Sequence, residues 1–199
     1  MRITSGIARG ISLDSPKGDS TRPATDAARQ AIFSSLAESV ADAKVLDMFA
    51  GTGAYGLEAA SRGAREVTFV ENDRRAFECL KKNIGAVLKS LRAAGGFAQL
   101  NSLSADCLKA AKIFEGKTFD FVFADPPYRM LSDEKTLGQI LNAFECVAGR
   151  ETVFILEAPA DFDLPCETFG QTRSFNVLKR LGKKSKGKPS QIIFKIEKI

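Results

Sequence analysis

Lys44-Val45-Leu46-Asp47-Met48-Phe49-Ala50-Gly51-Thr52-Gly53-Ala54-Tyr55-Gly56 passes within 13 residues from a β-type run to a glycine turn and into a helix. The apolar residues predict a short strand over 44–49, and Gly51-Thr52-Gly53 ends it. A helix follows from about Tyr55 to Arg62, stopped by Gly63. Outward from this unit the two periods keep alternating. Glu66 to Glu71 is β-rich and apolar, and Phe77, Leu80, Ile84, Val87, Leu88 and Leu91 repeat at helical spacing from Arg74 to Leu91 before Gly95-Gly96. Phe97 to Leu103 predicts a third strand and then a short helix. Thr118 to Ala124 predicts a fourth strand, Lys135 to Val147 a helix, and Glu151 to Glu157 a fifth strand. Such alternation builds an α/β fold, a mostly parallel, Rossmann-like sheet with helices on both faces. The end differs: Thr168 to Leu178 and Gln191 to Ile196 have no helix between them and read as an antiparallel hairpin at the sheet edge.

Composition sets the bounds. The 199 residues suit one domain, 1–199, divided into an N-terminal extension over 1–40, with a helix from about Asp26 to Ala37, and a core over 41–199. Hydrophobic residues make up 44 % of the chain, enough for a core. The longest apolar runs, such as Phe119 to Ala124, are too short to span a bilayer. Met-Arg-Ile-Thr-Ser-Gly lacks the features of a secretory signal, so the expected compartment is cytoplasmic. Cys79, Cys107, Cys146 and Cys166 contain no CxxC pair, so neither a zinc ribbon nor a disulfide framework is expected. There is no histidine, which removes Ser-His-Asp and Cys-His catalysis and His-ligated metals.

Charge is uneven. The net +5 divides into +2 over residues 1–30, −5 over 31–169 and +8 over 170–199. The densest basic stretch, Lys179 to Ser190, is either a solvated loop or a phosphate-attracting one.

Gly51-Thr52-Gly53-Ala54-Tyr55-Gly56 fits GxGxxG, and Glu71 stands 20 residues after Gly51. Glycines let a backbone approach a ligand closely, and an acid ending the second strand can accept from ribose hydroxyls. That suits a nicotinamide dinucleotide or S-adenosylmethionine. Asp47 tilts the choice toward the second, because a carboxylate there attracts the methionine ammonium and would repel a pyrophosphate. Asp106 is placed either to bond an adenine amine or simply to cap a helix.

Asp125-Pro126-Pro127-Tyr128 follows the fourth strand. The prolines stiffen the loop at the edge where open parallel sheets bind ligands. The Asp125 carboxylate and the Pro126 carbonyl can grip the two hydrogens of an exocyclic amine, whose lone pair is otherwise delocalised into its ring. Tyr128 can stack on the base. Catalysis by positioning needs no histidine.

Together, Asp47 to Gly53 and Asp125 to Tyr128 resemble class I methyltransferases that act on exocyclic amines. Arg2-Ile3, Gly6, Arg9-Gly10, Arg22-Pro23-Ala24-Thr25-Asp26, Arg29 and Phe33 narrow the resemblance to the RsmD family, which methylates the N2 amine of a guanine in 16S ribosomal RNA. The resemblance implies S-adenosylmethionine as cofactor, contacted by Asp47, Phe49, Ala50, Gly51, Gly53, Glu71, Asn72, Asp106, Cys107 and Thr25. It implies that Asp125, Pro126, Pro127 and Tyr128 hold the guanine. RNA contacts are expected from Arg2, Arg9, Arg22 and Arg29, and from Lys183, Lys184, Lys186 and Lys188. The partner is 16S rRNA or the assembling small subunit, with no membrane, no metal and a monomeric chain. The lysine-rich loop and the stretch around Gly95 depart from the family's pattern. Competing readings are a DNA adenine-N6 methyltransferase, for whose recognition region the chain has no room, a nicotinamide-dependent oxidoreductase, and an RNA-binding protein without catalysis.

Overall fold

The computed structural model describes residues 1–16, 25–165, 173–182 and 188–198. Its elements are α1 (Asp26–Leu36), β1 (Lys44–Asp47), α2 (Ala54–Ser61), β2 (Glu66–Glu71), α3 (Arg74–Ala93), β3 (Gln99–Ser104) and α4 (Cys107–Ala110). They continue with β4 (Phe121–Ala124), α5 (Tyr128–Ser132), α6 (Glu134–Val147), β5 (Val153–Pro159), β6 (Arg173–Leu181) and β7 (Pro189–Lys198). Seven strands form one sheet in the order β3-β2-β1-β4-β5-β7-β6. The five strands from β3 to β5 run parallel, whereas β7 lies antiparallel between β5 and β6. The C-terminal hairpin therefore extends the sheet at its β5 edge, as its sequence predicts.

Period-two burial explains the layering. Val45, Val67, Phe69, Phe121 and Phe123 face one core with Ile32, Phe33, Leu57 and Val87. Leu46, Val70, Val122, Phe154, Leu156 and Phe194 face the other with Ile140 and Phe144. A sheet covered on both faces needs strands that are apolar throughout, and β4 is buried at all four positions.

Of the boundaries that move, two concern site-bearing or exposed aromatic residues. The expected strand over 118–124 begins only at Phe121, because the preceding residues are tied by side chains. Asp120 Oδ2 accepts from the Lys44 N–H (2.7 Å), and Thr152 Oγ1 donates to the Phe119 carbonyl (2.7 Å). The third strand begins at Gln99, and Phe97, expected inside it, is 82 % exposed.

The N-terminal segment docks on α2 and α3. Glu58, fully buried, accepts from the Thr4 N–H (2.7 Å), the Thr4 hydroxyl (2.6 Å) and Arg62 Nε (2.8 Å). Ser61 Oγ accepts from the Ala8 N–H, and the Ser61 carbonyl accepts from the Ile7 N–H. Gly6 has φ +79°, and a Cβ on it would lie 1.9 Å from the Ser61 carbonyl oxygen. Only glycine fits that crossing. Among the described residues, no helix is long and apolar enough to cross a membrane.

Candidate active site

Three neighbouring strands end in acids. Asp47 closes β1, Asp125 follows β4, and Glu157 lies near the end of β5. The parallel register pairs Asp47 with Phe123 and Ala124 with Leu156, so the three carboxyls share one end of the sheet. Asp47 is 1 % exposed. Its Oδ2 accepts from the Gly56 N–H at 2.9 Å, while Oδ1 is buried with no hydrogen-bond partner among the described residues. Burial pushes its carboxyl up to about 7; the Gly56 N–H pulls down and the charge of Glu71 adds to the rise. Burial, then the charges of Glu157 and Asp47, hold the Asp125 carboxyl well above the usual range.

Glu157 accepts from the Tyr55 hydroxyl at 2.6 Å and from Gln191 Nε2 at 3.4 Å. Burial raises its carboxyl despite these bonds and the nearby charge of Arg29. Tyr55 is fixed by stacking on Phe123, with ring centres 5.4 Å apart, and Phe33 stacks on the same ring at 5.4 Å. Neither Glu157 nor Tyr55 figures among the expected site residues. The available signal was an acid closing the apolar run Val153 to Leu156, the same pattern as Asp47 and Asp125.

The three glycines of the turn divide their work. Gly51, at φ +54°, has open space where a Cβ would point, so it alone presents bare backbone outward. At Gly53, with φ +90°, a Cβ would come within 2.6 Å of Leu80 Cδ1, and at Gly56 within 2.3 Å of Phe69 Cε1. These two serve the seating of α2 against α3 and the sheet. Glu71 braces the turn: Oε2 accepts from the Gly51 N–H (2.6 Å) and Oε1 from the Asp73 N–H (2.6 Å). Asn83 Nδ2 donates to the Thr52 carbonyl and to that of Asp14, which joins the N-terminal segment to the turn. Phe49 is half-buried, Ala50 buried and Asn72 exposed around the same rim.

Asp106 accepts from the Leu108 N–H at 3.0 Å and so caps α4. Its neighbour Cys107 is buried, and burial, then Asp106 and Glu71, push its thiol up to about 12. Pro126 is buried and Pro127, exposed, leads into α5. Tyr128 opens α5 half-buried, its hydroxyl pushed up to about 12 by burial and then by Glu157 and Asp125, so it stays neutral. Among the described residues, no group of three His, Cys, Asp or Glu could hold a metal ion.

The basic residues are placed less uniformly. Arg2 and Arg9 are exposed on the N-terminal segment, and Thr25 accepts from the Ala28 N–H as the cap of α1. Arg29, expected at the RNA surface, has no exposure at all. Its Nη2 donates to the Arg2 carbonyl (2.7 Å) and to Asp26 Oδ1 (2.7 Å), since its place on α1 faces the core alongside Phe33. It fastens the N-terminal segment rather than meeting RNA. Arg22, Lys183, Lys184 and Lys186 lie outside the described residues, and Lys188 is exposed before β7.

Residues 1–184 match a family model described as "Conserved hypothetical protein 95". Ribosomal RNA small subunit methyltransferase D of Escherichia coli K12 is 40 % identical over 137 residues, 69 % of this chain. The chain belongs to the RsmD family. The aligned part spans 65 % of that Escherichia coli relative. A relative named "Putative rRNA methyltransferase YlbH", of Bacillus subtilis, is 32 % identical over 170 residues, covering 85 % of this chain and 88 % of its own. The solved structure of yhhF from Escherichia coli covers 98 % of this chain and 96 % of its own at 28 % identity, with a TM-score of 0.73. The class I methyltransferase architecture is thus shared over 98 % of the chain.

Proposed function

We propose that this chain transfers a methyl group from S-adenosylmethionine to the exocyclic N2 amine of a guanine in small-subunit ribosomal RNA. The observation that carries the reading is the acid cluster of Asp47, Asp125 and Glu157 beside an open glycine turn, with Asp47 Oδ1 buried and lacking a partner. A buried carboxylate oxygen without a donor is costly until a cation meets it. The ammonium of S-adenosylmethionine is such a cation, and the open face of Gly51 leaves room beside it. A dinucleotide pyrophosphate would meet three acids instead, which argues against the nicotinamide reading.

When bound, S-adenosylmethionine supplies a methyl group on a positively charged sulfur. Glu71, which already braces Gly51, presents its carboxylate to ribose hydroxyls at the rim. Asp106, as cap of α4, keeps an orientation from which its second oxygen can accept from an adenine amine. The Asp125 carboxyl and the Pro126 carbonyl accept hydrogen bonds from the two amine hydrogens of the guanine and turn its lone pair toward the methyl group. The one proton that the alkylated nitrogen sheds passes to Asp125 or to water, and Tyr128 stacks on the base. The substrate guanine is unpaired or extruded, since an A-form helix hides base edges from a side chain.

Methyl-transfer assays on small-subunit particles, 16S rRNA and duplex DNA test this. Transfer to guanine N2 in the first two and none to DNA is the expected result. Asp125→Ala should lower turnover about 100-fold or more while S-adenosylmethionine still raises the melting temperature. Unchanged turnover removes Asp125 from the reaction, and stabilisation by NAD in place of S-adenosylmethionine overturns the reading.

A further inference from the structure

Helix α3 carries Arg74, Arg75, Lys81, Lys82, Lys89 and Arg92 against one acid, Glu78, within a region that is otherwise acidic and net −5 over residues 31–169. All seven are exposed. At about 100° per residue they fall inside an arc of about 120°, opposite the buried Leu80, Asn83, Val87 and Leu91. Glu78 is taken up by Lys81 at 2.8 Å. The stripe begins at Arg74, three residues after Glu71, at the rim of the acid cluster. It runs about 27 Å down the helix at 1.5 Å per residue.

Its far end leads to a small exposed apolar patch with one aromatic ring. Gly95 and Gly96 turn the chain, and Phe97 follows at 82 % exposure. Ile7, 47 % exposed, packs against this turn: a Cβ on Gly96 would lie 3.0 Å from Ile7 Cδ1, and Ser90 Oγ lies 3.5 Å from the Ile7 carbonyl. Arg9 is exposed two residues on. A bare phenylalanine beside a line of cations is the arrangement that binds single-stranded nucleic acid, with phosphates on the cations and a base on the ring.

We propose that the exposed face of α3, ending on Phe97, is a second RNA-contact surface. It would follow the phosphate backbone away from the target guanine and stack one unpaired base on Phe97. The proposal deepens the methyltransferase reading and depends on it only for the identity of the RNA. It places recognition on the helix following β2.

The test uses the full chain, with two sets of changes chosen outside the acid cluster. Binding to a deproteinised 16S rRNA fragment and to assembled small-subunit particles is followed by fluorescence anisotropy over a range of salt, with methyl transfer measured in parallel. Replacing Lys82, Lys89 and Arg92 together by Gln should weaken binding at least tenfold and reduce the salt slope by about two, at roughly 0.7 per single-strand phosphate contact. Phe97→Ser should weaken binding at least about fivefold with the slope unchanged, because stacking releases no counterions. S-adenosylmethionine affinity, read by calorimetry, stays the same in both and reports an intact fold. Wild-type affinity and slope in the triple variant overturn the proposal while leaving methyl transfer standing. RNA binding lost in the variants of a chain that methylates nothing supports the surface and sinks the methyltransferase reading. A loss confined to assembled particles, absent with deproteinised rRNA, overturns it in favour of a protein partner.

Discussion

Asp47 concentrates the chemistry of the site in one side chain. An ordinary aspartate titrates at 3.8, and burial lifts this one to about 7. The folded chain therefore holds a proton that the unfolded chain gives up. That contribution to stability is complete below about pH 4 and is lost as pH rises toward 7. A cation against Oδ1 favours the ionised form, so S-adenosylmethionine affinity is expected to rise with pH and to level off above about 7. Below that point it should fall toward tenfold per pH unit. Asp125 and Glu157 are raised in the same direction, so Asp47→Asn isolates the effect: its affinity should be weak and less dependent on pH. Calorimetric titration at several pH values checks this, and a flat wild-type profile would remove Asp47 as the ammonium partner. Glu71 has two duties, a proposed one toward the ribose and an observed one toward the Gly51 N–H, so Glu71→Ala should weaken cofactor binding and also loosen the turn. Equal affinity in calorimetry would contradict the first duty, and unchanged amide exchange at Gly51 the second.

At the scale of elements, the sequence signals were strongest where a local pattern and its role coincide. β1, the glycine turn and α2 stand within two residues of where the quoted stretch predicts them, and β2 matches residue for residue at Glu66–Glu71. Asp47 and Asp125 were legible because each sits beside a motif. Glu157 was not, because its importance comes from β5 lying against β4, a pairing that joins residues more than 30 apart in sequence. Arg29 was misread for a related reason: an arginine four residues into a helix looks exposed until the partner surface is known. The glycines show the same limit. The pattern asks for Gly51, Gly53 and Gly56 alike, yet only Gly51 faces open space. Gly51→Ala should therefore fold, at a cost of about 1 kcal/mol for the positive φ, and lose cofactor affinity. Gly56→Ala should instead destabilise the chain by about 1–3 kcal/mol through overpacking against Phe69 and Val67. Urea unfolding and cofactor calorimetry on both variants separate the roles, and equal stability of the two would refute the division.

Across the whole molecule, the segment over residues 1–16 is fastened to the helices that carry the site. Its anchor is Glu58, which holds Thr4 by two hydrogen bonds and Arg62 by an ion pair at 2.8 Å, all beneath a surface from which Glu58 is fully excluded. Arg62 in turn lies over the Phe33 ring at 4.9 Å, and Phe33 stacks on Phe123, whose other neighbour is Tyr55. Tyr55 holds Glu157. One chain of contacts thus runs from residue 4 to the acid cluster, and Asn83 ties residue 14 to the glycine turn by a second route. Breaking a buried ion pair by removing one partner costs about 3–5 kcal/mol, and Arg62 keeps some contact with water, so Glu58→Ala should fall near the lower end. Urea unfolding should show a lower midpoint, and amide exchange at Ile3, Thr4 and Ala8 should quicken by more than the global loss explains, because the segment detaches first. If the contacts transmit position as well as stability, Glu58→Ala should also lower methyl transfer under conditions where it is fully folded, while Glu58→Gln, which keeps an acceptor for Thr4, restores part of both. Wild-type exchange at residues 3–8 in the Ala variant would show that the anchor lies elsewhere.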